Sequence, residues 1–234
     1  MKLRNVVFII LLIIVADQGL KIWIKSTHAE GEVLRVFGFN WFRIHFIENS
    51  GMAWGWKFGN ETGKMLLTLL RLAAVIFGTW YLGKLVKQHY SKGFIICAAL
   101  IYAGALGNLI DSMFYGMIFD KGLHYDPVLH EYIRYEGVAA LNGHGYSSFL
   151  HGSVVDMIYL PFFDTTFPSW VPLIGGTKFD FFGPIFNIAD ASISVGVITL
   201  FIFQKRFFKR KKEEEEAQAG GETSAEVSDK MQVL

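Results

Sequence analysis

Four long apolar runs constrain this chain more than any other feature. They cover residues 5–24, 64–83, 93–114 and 185–203, and no proline interrupts them. A helix needs about 20 such residues to cross a hydrocarbon core about 30 Å thick. Inside lipid every backbone N–H and C=O must be paired within the protein, so helices are the expected solution. Composition agrees: 52% of the residues are hydrophobic and 18% charged, against about 25% charged in soluble domains. The expected fold is an all-α membrane protein with four transmembrane helices.

Lys2 and Arg4 precede the apolar residues 6–16, the pattern of a cleavable signal. Apolar character resumes after Asp17 with Leu20, Ile22, Trp23 and Ile24, so this segment reads as a retained first span. Lys and Arg then set the orientation. Lys2 and Arg4, the short loop with Lys84, Lys87 and Lys92, and the flank from Lys205 to Lys212 fall on one side of a four-span protein. That side is the expected cytoplasm, with both termini there and residues 26–63 and 115–184 outside. The formal net charge of +1 leaves no basic footprint for nucleic acid. The only cysteine, Cys97, excludes an intramolecular disulfide and a cysteine-rich metal site.

The segments between spans differ in character. Residues 33–58 hold short alternating stretches bounded by Gly and Asn, which predict a small outer-face β-sheet between helices 1 and 2. Residues 117–150 are polar and read as a long outer loop. Residues 162–183, rich in Phe and Trp, read as an interfacial segment before helix 4. The organisation expected is one polytopic membrane domain over 1–212, with a loop insertion at 117–150. Residues 213–234, low in apolar residues, are expected to be a disordered cytoplasmic tail.

Ionisable residues within spans are rare and point to function. Asp17 and Lys21 share a face of span one at i,i+4. Asn108 and Asp111 in span three stand at i,i+3, as do Asn187 and Asp190 in span four. At 1.5 Å per residue, Asp17 lies about 18 Å and Asp111 about 27 Å from the cytoplasmic ends of their spans, and Asp190 about 7 Å from the outer start of its own. These residues, with Asn49 and Asp156 in the outer segments, are expected to converge at one depth. Asp17 with Lys21 also fits a structural ion pair, and Asn108 and Asn187 fit helix–helix hydrogen bonds. Arg71 stands in no motif and reads as snorkelling or pairing structurally. Asp156 and Asp190 sit among apolar neighbours, where an ionised carboxylate is costly. Two carboxyls sharing a site split their titrations, one keeping its proton and one ionised.

Five stretches, in order, resemble the lipoprotein signal peptidase (signal peptidase II) family. They are Ala16-Asp17-Gln18-Gly19-Leu20-Lys21, Glu48-Asn49-Ser50-Gly51-Met52-Ala53-Trp54-Gly55, Gly104-Ala105-Leu106-Gly107-Asn108-Leu109-Ile110-Asp111, Val154-Val155-Asp156-Met157-Ile158 and Phe186-Asn187-Ile188-Ala189-Asp190-Ala191-Ser192-Ile193. The resemblance implies an aspartic endopeptidase of the bacterial inner membrane. It removes signal peptides from diacylglyceryl-modified prolipoproteins, cutting before the lipidated cysteine. It implies Asp156 and Asp190 as the catalytic pair, and Asp17, Lys21, Asn49, Gly51, Asn108, Asp111 and Asn187 as supporting or substrate-contacting residues. It implies no metal and no organic cofactor. Membrane lipid and prolipoprotein are the expected partners, and the chain is expected to act as a monomer. Two departures stand out. The family usually has Arg after the aspartate of the third motif, where this chain has Ser112; its role falls to Arg134, to Lys121 or to nothing. The third and fourth motifs are also separated by residues 117–150.

Three rivals are weaker. His130-Glu131-Tyr132-Ile133-Arg134 has Arg where a zinc helix needs its second His, and His124, His130, His144 and His151 read as a chance loop cluster. His151, Ser153 and Asp156 are close in sequence, but triads are recognised by geometry. An ion relay would place carboxylates at several depths, whereas these cluster.

Overall fold

The computed structural model describes residues 1–49, 52–53, 56–57, 61–161, 163–166, 168–172, 175–181 and 183–207. Among the described residues four helices are long and apolar enough to cross a membrane: α1 (Leu3–Thr27), α2 (Glu61–Lys87), α3 (Lys92–Ile118) and α4 (Ile188–Phe207). Half of the most apolar stretch of α3 is buried, against 17% for each of the others, so α3 is the central helix. The exposed faces of the rest carry Phe8, Val15, Ile76, Trp80, Ile198 and Phe201. In water such surface would be a liability; against lipid it is the required one.

Ser91 starts α3 by accepting the Phe94 amide on its side chain, 3.4 Å away. Near its other end α3 widens into a π turn over Asp111–Tyr115, a local distortion frequent at functional sites. Small residues let α4 come close. A Cβ on Gly104 would lie 2.2 Å from the Ala189 carbonyl oxygen, and one on Gly196 would lie 2.8 Å from Ile101. This is the small-residue packing that membrane helices use in place of a hydrophobic driving force.

The ends of α1 and α3, and the starts of α2 and α4, carry the non-helical structure. Strands β1 (Val33–Arg35) and β2 (Arg43–Asn49) form a sheet whose third strand comes from later in the chain. Two short strands, β3 (Met52–Ala53) and β4 (Trp56–Lys57), pair with each other. β5 (His124–Asp126) pairs with β6 (Glu131–Ile133). β7 (Val154–Tyr159) lies antiparallel to β2, giving the order β1-β2-β7, with Ile47 opposite Asp156 and Asn49 opposite Val154. β8 (Phe163–Thr166) pairs with β9 (Lys178–Phe181).

Three differences from the sequence reading have physical reasons. The apolar stretch around Asp156 is a strand: its first four residues are all buried, so no alternation advertised it. Span four begins at Ile188, three residues later than expected, because Phe186 first makes a two-way backbone bridge with Ile158. Residues 117–150 are not an open loop. They carry the β5–β6 hairpin and place Phe119 and Ala139 in a buried cluster with Ile24, Phe46, Tyr115, Val155 and Met157. At its centre Lys25 pairs with Glu48 and is surrounded by the rings of Phe119, Tyr146 and Tyr135, 5.0–5.2 Å from their centroids. Glu48 also accepts from Tyr135 Oη at 2.7 Å and from the Leu123 amide at 3.2 Å. Residues 117–150 are thus packed around an ion pair between α1 and β2. The proposed tail, 213–234, lies outside the described residues.

Candidate active site

The start of α4 builds the site from its own capping groups. Asn187 is the residue before the helix; its Oδ1 accepts the Asp190 amide at 2.8 Å, and Asp190 Oδ2 accepts the Asn187 amide at 3.4 Å. This reciprocal arrangement is a capping box. The amide between them, Ala189 N–H, is taken by Asp17 Oδ1 from α1 at 2.9 Å. A carboxylate there complements the positive end of the helix. Gly107 keeps room for it, since a Cβ would lie 2.9 Å from Asp17 Oδ2.

The Asn187 side chain also reaches the other aspartate. Its Nδ2 donates to Asp156 Oδ1 at 2.7 Å, and approaches Asn108 Oδ1 at 3.1 Å and the Val155 carbonyl at 3.3 Å. Asn108 Nδ2 in turn donates to Asp190 Oδ1 at 2.7 Å. Two amides therefore bind Asp156 and Asp190 into one hydrogen-bonded unit. From β2, Asn49 Nδ2 donates to Asp156 Oδ2 at 3.4 Å.

Asp156 is 3% exposed. Burial pushes its carboxyl up to about 7, and the charge of Asp190 adds to the rise; Lys21 and the amides of Asn187 and Asn49 oppose it. At neutral pH this site can hold one proton between its carboxyls.

Beneath the pair lies a buried ionic layer. Lys21 Nζ bridges Asp17 at 2.9 Å and Asp111 at 2.7 Å, and donates to Asn108 Oδ1 at 3.0 Å. Lys21 is thus shared between two carboxylates, where the sequence suggested one. Asp111 also accepts from Gln18 Nε2 at 2.8 Å and from the Val155 amide at 3.3 Å, tying α3 to β7. Of the residues expected in the site, Asp17, Lys21, Asn49, Asn108, Asp111, Asp156, Asn187 and Asp190 are brought together; Gly51 lies outside the described residues.

Sequence reasoning missed several members. Gln18 contacts Asp17 and Asp111 and accepts from Tyr115 Oη at 3.1 Å; its place between Asp17 and Lys21, one polar side chain among apolar ones, was the available signal. Neither suggested replacement for the absent Arg reaches Ser112. Arg134 lies 3.6 Å from Glu30, and Lys121 donates to the Glu136 carbonyl. The group that does reach it is Arg71 of α2, whose Nη1 donates to Ser112 Oγ at 2.9 Å. No sequence spacing connects those two positions.

The rival constellations are not assembled. His151 lies 3.0 Å from Ser148, while Ser153 Oγ accepts from Lys64. His130 lies beside Tyr125 Oη at 3.2 Å. Among the described residues no three His, Cys, Asp or Glu side chains form a metal-ligating group.

Comparison with known proteins agrees with this architecture. Lipoprotein signal peptidase of Porphyromonas gingivalis is 43% identical over 206 residues, covering 87% of this chain and 84% of that one. That of Amoebophilus asiaticus is 33% identical, covering 85% and 76%. A solved bacterial membrane enzyme superposes with a TM-score of 0.52 at 25% identity, covering 90% of this chain and 93% of that one. The model of the family described as signal peptidase (SPase) II matches residues 9–206. With four apolar helices around a shared buried polar site, the chain belongs to the signal peptidase II family.

Proposed function

We propose that this membrane protease removes signal peptides from diacylglyceryl-modified prolipoproteins by aspartyl acid–base catalysis, cutting before the lipidated cysteine. The observation that carries the reading is the Asp156/Asp190 unit, two carboxyls joined through Asn187 and Asn108. In the resting pair the proton sits on Asp156, whose carboxyl burial pushes up, and Asp190 serves as the base. Asp190 takes a proton from water as its oxygen adds to the scissile carbonyl carbon. Asp156 gives its proton to the carbonyl oxygen. Asp190 then gives the proton it took from water to the leaving nitrogen, the C–N bond breaks as a hydroxyl of the tetrahedral diol returns its proton to Asp156, and the products are an acid and an amine, with one proton left on the pair. Asp17, Lys21 and Asp111 fix the elements that carry the two carboxyls: Asp17 accepts an amide of α4, which bears Asp190, and Asp111 one of β7, which bears Asp156. Asn49, the last residue of β2, holds the substrate backbone, a role the family resemblance extends to Gly51.

The site is read as facing the outer side of a bacterial inner membrane, with both termini cytoplasmic. There the acyl chains of the substrate stay in lipid during cleavage. Residues 1–212 form the peptidase domain, 117–150 its insertion and 213–234 a cytoplasmic tail. The chain works as a monomer without cofactor.

The test is turnover per folded molecule on a lipidated prolipoprotein, with EDTA present. Asp156→Asn and Asp190→Asn each lose about 10²–10⁴-fold, the worth of a general acid–base step. The double variant is little worse than either, because the two act as a unit. If either single variant keeps more than about a tenth of wild-type turnover, well short of that loss, the assignment is wrong.

A further inference from the structure

Arg71 is a cation at membrane depth that has no carboxylate partner among the described residues. It lies ten residues into α2, about 15 Å along the helix. The ion pairs among the described residues are Lys21 with Asp17 and Asp111, Lys25 with Glu48, and Arg134 with Glu30; Arg71 is in none of them. Its hydrogen-bond partner among the described residues is Ser112 Oγ, at 2.9 Å. Ser112 is itself 1% exposed and donates onward to the Asn108 carbonyl at 2.9 Å. The serine therefore has its proton committed and offers Arg71 only a lone pair, which aims the guanidinium at the helix turn holding Asn108. Asn108 is the residue that binds Asp190. The carboxylates whose fields reach Arg71 are Asp111, Asp190 and Asp156.

A guanidinium has five N–H donors, and among the described residues one of Arg71's has an acceptor. An intramembrane arginine that is neither paired nor saturated by the described residues, held beside two reactive carboxyls, is placed to receive an oxygen from outside the protein. We infer that Arg71 is the oxyanion donor of the site: it binds the scissile carbonyl oxygen and strengthens that bond as negative charge develops on it. This rests on the aspartyl reading above and adds a residue to it. Asp156 supplies a proton to that oxygen; Arg71 supplies fixed positive charge, with no proton transferred.

The inference has two readouts that a purely structural arginine would not move. The first is turnover. Arg71→Gln lowers kcat by about 10²-fold, the scale for removing one oxyanion donor. The second is the acid limb of the pH–rate profile. The groups facing the pair are Asp17 and Lys21 from α1, Arg71 from α2, Asp111 from α3 and Asn49 from β2; Glu48 of β2 is turned to Lys25. Arg71 favours the ionised carboxylate, so its loss moves the acid limb up, by about one unit. Arg71→Lys keeps the charge, leaves the limb in place and recovers part of kcat. In the Arg71→Gln background, Ser112→Arg returns a guanidinium to the same spot from the facing helix and recovers turnover by about tenfold or more, a part of what one donor supplies.

Turnover of Arg71→Gln within about threefold of wild type, against the 10²-fold scale of an oxyanion donor, overturns the inference. So does a loss of turnover with an unmoved acid limb and no recovery from Arg71→Lys or Ser112→Arg, which marks a structural arginine. Asp190→Asn run in parallel separates the two readings. If it stays active, the aspartyl reading itself fails; if it is dead while Arg71→Gln is not, only the role of Arg71 fails.

Discussion

Burial pushes the Asp156 carboxyl from 3.8 to about 7, and this has a consequence for stability as well as chemistry. The folded state holds that proton more tightly than the unfolded chain does. Stability contributed by the protonated group is complete below about pH 4 and is lost as pH rises towards 7. The loss is on the order of 4 kcal/mol when complete. Asp156→Asn removes the titration while its amide oxygen can still accept from Asn187. The variant is therefore expected to melt higher than wild type at pH 8 and level with it near pH 4, though inactive at both. Thermal unfolding in detergent across that range checks it; equal melting temperatures at pH 8 would count against a protonated resting Asp156. Much of the site could be read at this scale, because an Asp, Lys or Asn inside an apolar run is conspicuous. Arg71 was equally conspicuous, but its hydrogen-bond partner, Ser112, lies on another helix, 41 residues later.

The elements differ in how openly the sequence declares them. α1 to α4 follow from length and hydropathy alone. β7 does not, since a strand buried on both faces shows no period of two. The insertion was misread for a related reason: its polar hairpin is conspicuous, whereas its anchors are single aromatic residues scattered over 119–146. Tyr146 is the strongest of them. Its ring covers Lys25 and packs on Gly122, where an added Cβ would come within 2.2 Å of it, and its hydroxyl accepts the Ser153 amide at 2.8 Å. Tyr146→Ala should cost about 3 kcal/mol, the range for removing a buried ring, and uncover the Lys25–Glu48 pair. Replacing the exposed tip at 127–130 with Gly and Ser should leave melting temperature and turnover nearly unchanged. A tip replacement that unfolds the protein, or a harmless Tyr146→Ala, would show that the insertion is anchored elsewhere.

For the whole molecule, charge asymmetry predicts which side of the membrane each end of the bundle faces. Cys97 is the only cysteine and is buried, so background labelling by an impermeant thiol reagent is low. A cysteine placed at Asn142 should react from outside intact cells, and one at Gln88 only after permeabilisation. The opposite pattern would invert the orientation and move the site to the cytoplasm. Within the bundle, Asp17 accepts an amide from Ala189, 172 residues later in the chain. During synthesis the first helix enters the membrane long before the last exists. In that interval Lys21, one turn away, is the neutralising partner that α1 itself carries for Asp17. The same Lys21–Asp17 contact that braces the finished enzyme thus escorts a charge into lipid. The capping amide and Asp190 both arrive with α4, so on the proposed aspartyl mechanism a ribosome-bound or truncated chain is an unarmed protease.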